Sequence, residues 1–159
     1  MPIDKDLFRQ VLSHFAAGVT VVTTVDGEQR PHGLTATAFA SVSLEPPLAL
    51  VCIDQLTETY PHFAPAGAFA VNFLALDQQD VSQRFAKHGG DKFSATPWRR
   101  GALGMPILEG TIGHVECRIV HGYDGGDHTI YVGQIEAAGA NGGQPLLHFR
   151  HAYRRVEDA

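Results

Sequence analysis

Three stretches of this chain combine residue types able to do chemistry at close spacing. The first is His32-Gly-Leu-Thr-Ala-Thr-Ala-Phe-Ala-Ser-Val-Ser43, small side chains interleaved with the hydroxyls of Thr35, Thr37, Ser41 and Ser43. Small residues let a planar ligand approach the backbone, and hydroxyls can bind phosphate without a net charge. The same pattern fits an edge strand with its polar residues in water. The second is Gly126-Asp-His-Thr-Ile-Tyr-Val-Gly133, which puts His128 at the mouth of a hairpin. There it is placed to meet a ligand, although the spacing by itself favours an Asp–His–Thr turn whose side chains cap backbone groups. The third is Arg84-Phe-Ala86 with Lys87, His88 and Lys92, cations at a helix end that suit a phosphate or simply the helix dipole.

Other chemistries find little support. Cys52 and Cys117 lack the close spacing of a zinc or redox pair, and the nine histidines are scattered without a His-Glu-x-x-His. No metal site is expected. No Gly-x-Ser-x-Gly elbow or phosphate-binding loop of the Walker type occurs. The net charge of −5 argues against nucleic-acid binding. Residues 1–80 hold nine acids and three bases, residues 81–159 eight acids and nine bases, so phosphate ligands are sought in the second half.

Elements able to position these groups follow from periodicity. Leu7, Phe8, Val11, Leu12 and Phe15 recur at helical spacing over 4–16, with Asp4 as cap. Strands are expected at 19–25, within 33–44, at 48–53, 69–74, 111–121 and 128–137, and in the tail 145–156. The continuous run 48–53 predicts a strand buried on both faces. Short helices are expected at 57–64 and from Asp77 or Asp80 to about Ala86. Residues 87–106 form the longest irregular stretch. Without strand–helix alternation or a glycine fingerprint, a mainly β, antiparallel sheet with peripheral helices is predicted, closed into a small barrel to protect its edges. With 44% hydrophobic residues, 159 residues make one domain, 1–159. No apolar run is long enough for a membrane helix and no secretory signal opens the chain, so a cytoplasmic location is expected. The charged fraction of 18% is low, as if another subunit covered part of the surface.

Taken in order, Phe15-Ala-Ala-Gly-Val-Thr-Val-Val-Thr-Thr24, His32-Gly-Leu-Thr-Ala, Ala40-Ser-Val-Ser-Leu-Glu-Pro-Pro-Leu48, Gly126-Asp-His-Thr129, Gly133, Pro145-Leu146 and Tyr153 resemble the short-chain flavin reductases. These are the reductase components of two-component flavin-dependent monooxygenases. The resemblance runs from about Phe8 to Tyr153. It implies an FMN-binding split β-barrel, usually a homodimer, that uses NADH or NADPH to reduce FMN or FAD for a separate oxygenase acting on aromatic compounds.

By position, the resemblance implies that Thr35, Ala36, Thr37 and Ala38 line the flavin, with Ser41 near its phosphate. Cys52, Ile53 and Asp54 would present backbone to the ring system. Thr57 and Thr59 would lie in the phosphate-side loop, and Arg84 and Phe85 at the phosphate end. His128 would orient the nicotinamide without acting as an obligatory base, and Tyr153 would complete that pocket. The chain departs from the family pattern at Thr37, Ala38 and Ala40, and at His151 and Ala152, where glycines are usual. Alternatives of other classes are a flavin- or haem-binding barrel that does not oxidise NADH, an oxidase of the pyridoxamine-phosphate type, and a non-catalytic interaction domain.

Overall fold

The computed structural model describes residues 2–157. The chain opens with helix α1 (Lys5–Leu12), capped by Asp4, whose carboxylate accepts from the N–H groups of Asp6 and Leu7. It is shorter than the expected 4–16, because the chain is turning out of the helix by Ser13–Phe15 toward β1 (Ala17–Gly18). Then follow β2 (Thr20–Val25), β3 (Pro31–Ala36), β4 (Phe39–Ser43), β5 (Leu48–Asp54), α2 (Tyr60–Ala66), β6 (Ala68–Phe73) and α3 (Gln79–Ala86). The expected irregular stretch 87–106 holds β7 (Trp98–Arg100), which pairs with β8 (Pro106–Leu108). The long hairpin is β9 (Gly113–Gly125) and β10 (His128–Ala140), closed by Gly126-Asp127. The tail is a small hairpin, β11 (Leu147–Phe149) and β12 (Ala152–Arg154), where one strand was expected.

Seven strands form one antiparallel sheet in the order β3-β2-β6-β9-β10-β5-β4. Its two edge strands, β3 and β4, are consecutive in sequence and separated only by Thr37 and Ala38. Laid flat, seven strands would put those edges about 29 Å apart. Three Cα steps reach only about 11 Å. The sheet must therefore curl until its edges meet, which is the barrel the sequence predicts. Packing across the interior agrees: the ring of Phe39 on β4 meets Phe73 on β6 edge-on at 5.2 Å. Inside lie Val22, Leu34, Val51, Ile53, Phe63, Phe69, Val71, Cys117 and Tyr131.

Two readings need correction. Strand β5 is not buried on both faces: Ala49, Val51 and Ile53 are buried, whereas Leu48, Leu50, Cys52 and Asp54 are half-buried. A curled sheet has one interior, so the outward residues of even an apolar strand stay partly accessible. The segment 33–44 is two strands, broken at Thr37-Ala38 where the chain crosses from one sheet edge to the other.

Candidate functional site at the barrel split

The crossing from β3 to β4 is where the expected ligand-binding residues begin. Thr35 and Ala36 are half-buried at the end of β3, and Thr37 and Ala38 are exposed. The link is held on both sides. The Thr35 hydroxyl donates to the Ser82 carbonyl at 2.6 Å, and the Ala38 carbonyl accepts from the Cys52 N–H at 3.1 Å. Ser41 stands apart: it is exposed on β4 opposite Ala49, and it does not line the pocket described next.

Thr35, Thr57, Thr59 and Phe85 meet in a small pocket of about 80 Å³, with Lys87, His88 and Lys92 on its far side. Its three hydroxyls all donate to backbone carbonyls: Thr35 to Ser82, Thr57 to Asp54 and Thr59 to Gly33. A hydroxyl has one proton to give. The donors left for an anion are therefore the side chains of Lys87, His88 and Lys92 and nearby backbone N–H groups. Burial pushes the Lys92 ammonium down from its usual range, and Glu58 opposes that shift.

The end of β5 supplies backbone rather than side chains. Ile53 is fully buried in the barrel. Burial raises the Cys52 thiol, so it stays protonated. Asp54 builds the turn that follows: its carboxylate accepts from the Leu56 N–H, and its carbonyl from the Thr57 N–H and hydroxyl. Beyond the end of β4, the edge of β5 facing the Thr37-Ala38 link has no strand beside it.

Arg84 is engaged within the chain, donating to Thr96 Oγ1 at 2.8 Å and pairing with Asp80 at 3.1 Å. Phe85 is buried, edge-on to Phe93 at 5.0 Å. It packs so closely under Gly33 that a Cβ there would lie 3.0 Å from its ring. Phe85 thus forms part of the pocket wall, whereas Arg84 does not line it.

His128 opens β10 opposite Asp54. Its Nδ1 lies 2.7 Å from Asp127 Oδ1, and this contact holds the Asp127 carboxyl below its ordinary value. An ionised carboxylate only accepts, so Nδ1 carries the proton, and in the neutral ring Nε2 is left as an acceptor. The hairpin is tied to the loop after β5. The Gln55 N–H donates to the Asp127 carbonyl, and Tyr60 and Thr129 share a hydrogen bond of 2.9 Å. Tyr153 sits elsewhere, with its hydroxyl 2.8 Å from Ser82 Oγ on α3.

A larger cleft of about 800 Å³ adjoins the small pocket, lined by Arg30, His32, His62, Phe93, Trp98 and the Gly89-Gly90 loop among others. Of its lining, sequence reasoning singled out the segment beginning at His32, Thr59 and Lys92, and the irregular stretch 87–106 only as a whole. Three stretches distant in the chain build the cleft, and no local pattern marks their meeting.

The donor set fits a flavin phosphate: a small pocket lined by the ammonium groups of Lys87 and Lys92 and the imidazole of His88, beside an exposed backbone link free of bulky residues. Among the described residues no group of His, Cys, Asp and Glu could hold a metal. No helix among them is long and apolar enough to cross a membrane.

Residues 12–157 match the model of the flavin reductase like domain. The chain is 39% identical over 158 residues to the flavin-dependent monooxygenase reductase subunit HsaB of Mycobacterium tuberculosis, covering 98% of this chain and 84% of the relative. It is 40% identical to an NADH-dependent flavin reductase of a Rhodococcus species, covering 94% and 85%. Among solved structures, the NADH:FAD oxidoreductase SgcE6 of Streptomyces globisporus, in complex with NAD and FAD fragments, superimposes with a TM-score of 0.92. There the identity is 36%, and the match covers 98% of this chain and 95% of the other.

Proposed function

Because the chain belongs to the flavin reductase family, we propose that it is an NAD(P)H-dependent flavin reductase supplying reduced flavin to a separate monooxygenase. The observation that carries this reading is the near-complete match to a monooxygenase reductase subunit, joined to a split barrel whose pocket presents cations at the phosphate end. Aromatic hydroxylation is the proposed role of the partner oxygenase. The chain acts as one flavin-binding unit in the cytoplasm.

When both are bound, the nicotinamide supplies a hydride and the flavin accepts it. The protein's task is to place them. Lys87, His88 and Lys92 hold the phosphate end, and the threonines fix the loops that carry them. The backbone of 36–38 and 52–54 borders the ring system, and its N–H groups other than that of Cys52, which already donates to Ala38, favour the charge that builds on reduction. His128, fixed by Asp127, offers Nε2 to the amide of the hydride donor and orients it. Tyr153 acts at one remove, clasping the tail to α3.

A homodimer is proposed on the exposed side chains of α1. Leu7, Phe8, Val11 and Leu12 are each about half exposed, and no residue of the helix is buried. A second copy of the chain is the occupant that buries this face.

Steady-state oxidation of NADH and NADPH with FMN, FAD and riboflavin tests the reading. Flavin-dependent loss of the reduced nicotinamide absorbance is expected. Flavin binding without that loss would make the protein a binder. A tightly held FMN that reacts only with amines would make it an oxidase.

A further inference from the structure

One side chain bridges the two halves of the site. Tyr60 opens α2 directly after Thr59, which lines the small pocket. Its hydroxyl lies 2.9 Å from Oγ1 of Thr129, the residue directly after His128 on β10. We propose that Tyr60 and Thr129 are a positioning pair, which fixes His128, and with it the hydride donor, at a set distance from the flavin. This rests on the reading above that the small pocket holds the flavin phosphate and that His128 meets the nicotinamide.

Strand geometry puts the two roles of β10 on opposite faces. His128 stands opposite Asp54, and Thr129 opposite Ile53. Side chains alternate along a strand, and cross-strand partners share a face. Ile53 is fully buried in the barrel, so Thr129 turns inward and His128 outward. The inward residues are where α2 takes hold. Tyr131, two residues on, stacks on Phe63 of α2 at 5.5 Å, and the Tyr60 ring lies 6.5 Å from it. Tyr60 and Phe63, three apart on the helix, thus grip Thr129 and Tyr131, two apart on the strand. The aromatic stack supplies the apolar contact. The hydroxyl pair pins the end of the strand that carries His128.

The surroundings make Tyr60 the anchor. It is half-buried and packed on the core of the barrel. Burial, and then the nearby Tyr60, raise the Tyr131 hydroxyl, so it stays protonated. Thr129 Oγ1 also accepts from Gln55 Nε2 at 3.3 Å, and the Gln55 N–H donates to the Asp127 carbonyl at 3.1 Å. The loop after β5 therefore reaches the hairpin through both chain neighbours of His128. Gln55 itself is exposed, so only Tyr60 roots this set in the core.

Facing the barrel interior, the pair touches neither cofactor. With its bond broken, His128 can still follow the nicotinamide amide, and ground-state binding survives. What is lost is the fixed separation of the reacting atoms. Hydride transfer needs them about 3–3.5 Å apart, and a misplacement of about 1 Å costs about a hundredfold.

Anaerobic rapid mixing of the chain carrying FMN or FAD with NADH tests the pair, because it reads binding and hydride transfer separately. Tyr60→Phe, which keeps the core ring, and Thr129→Val should each slow flavin reduction at saturating NADH about tenfold. Affinities for NADH and flavin should stay within about twofold of wild type. The double variant should be no slower than the slower single one, since both remove the same bond. Thr129→Ser, which keeps the hydroxyl, should reduce flavin within about twofold of the wild-type rate. Unchanged reduction in Tyr60→Phe overturns the proposal. So do weakened NADH binding with an unchanged saturated rate, losses that multiply in the double variant, and a Thr129→Ser as slow as Thr129→Val. Each of these leaves the flavin reductase reading standing. Failure of the wild-type chain to reduce either flavin overturns the proposal and that reading together.

Discussion

The hydroxyls of Tyr153 and Ser82 lie 2.8 Å apart, and the carbonyl of the same serine accepts the Thr35 hydroxyl at 2.6 Å. Ser82 thus joins the tail hairpin to the end of β3, where the barrel splits. Removing one partner of such a bond costs about 0.5–1.5 kcal/mol. For a chain of this size that lowers Tm by roughly 2–5 °C. Tyr153→Phe should show this drop in a thermal melt, with the KM for NADH within about twofold of wild type. A large rise in that KM would put the Tyr153 hydroxyl in contact with the nicotinamide.

His128 is held by Asp127 and lies opposite Asp54 at the end of β5, so in the proposed role its loss should fall on the hydride donor. His128→Ala is expected to raise the KM for NADH about tenfold, the effect of one lost hydrogen bond, and to leave flavin affinity unchanged. Steady-state kinetics beside a flavin titration separates the two. Unchanged NADH kinetics would remove His128 from the site.

Much of this was legible from local pattern. Thr20–Val25 is β-branched almost throughout and forms the expected strand. Thr35, Thr57, Thr59 and Phe85, picked out by their resemblance to family positions, converge on one pocket. The break at Thr37-Ala38 was not visible, because small and hydroxyl residues carry no hydrophobic period. Strands β7 and β8, three residues each, are too short to show one. Ser41, one of the four hydroxyls of the 32–43 segment and by resemblance near the phosphate, is exposed on β4 opposite Ala49. Lys92 owes its place to a long loop that folds back on α3. Gly133 was noted only as a matched residue. The structure supplies its reason: a Cβ there would lie 2.6 Å from Cys117 Cβ and 2.9 Å from the Phe69 ring.

The tail turn was also missed, since Arg150-His151 carries no turn signal. Both residues adopt positive φ, 50° and 60°. That conformation favours Asn-Gly in two-residue hairpins and costs other residues roughly 1–2 kcal/mol each. Replacing the pair by Asn-Gly should therefore raise the urea midpoint. A lowered midpoint would show that the Arg150 guanidinium, 5.2 Å above the Phe149 ring, contributes more than the turn costs.

Asp26 should make the β2–β3 connection acid-sensitive. Burial alone would raise its carboxyl. The hydrogen bonds from His32, from Arg30 and from the Glu28 N–H outweigh that and hold it far below the usual carboxylate range. A depressed folded-state value means that the stabilisation is complete above the unfolded value of about 4 and is lost as pH falls toward the folded one. Asp26→Asn should thus be less stable than wild type at pH 7. The gap in denaturation midpoint should narrow as pH drops below about 4. A gap that stays constant with pH would show that the ionised carboxylate is not what holds the turn.

Helix α1 is too short to be stable alone, since isolated helices below about 12 residues are marginal. Within the chain its C-terminal end is held where the Arg150 N–H donates to the Ser13 carbonyl at 2.8 Å and His14 meets Phe149 edge-on. Nothing among the described residues covers its apolar face, and Phe15 just beyond is 79% exposed. At the other end, Lys5 is close enough to act electrostatically on Asp127, the partner of His128. The β9–β10 hairpin also exposes Val120 and Tyr123. A second copy that covers α1 together with Val120 and Tyr123 would reach the hairpin that carries His128. Two consequences follow for Leu12→Glu and Phe15→Asp, which place charges in that face. Sedimentation should show the mass of one chain for these variants and of two for the wild type. The KM for NADH should rise as the hairpin loses its support, while the core, with none of these side chains in it, keeps its thermal stability to within a few degrees. A variant that stays dimeric would move the interface to another face. One that becomes monomeric with unchanged NADH kinetics would uncouple assembly from the site.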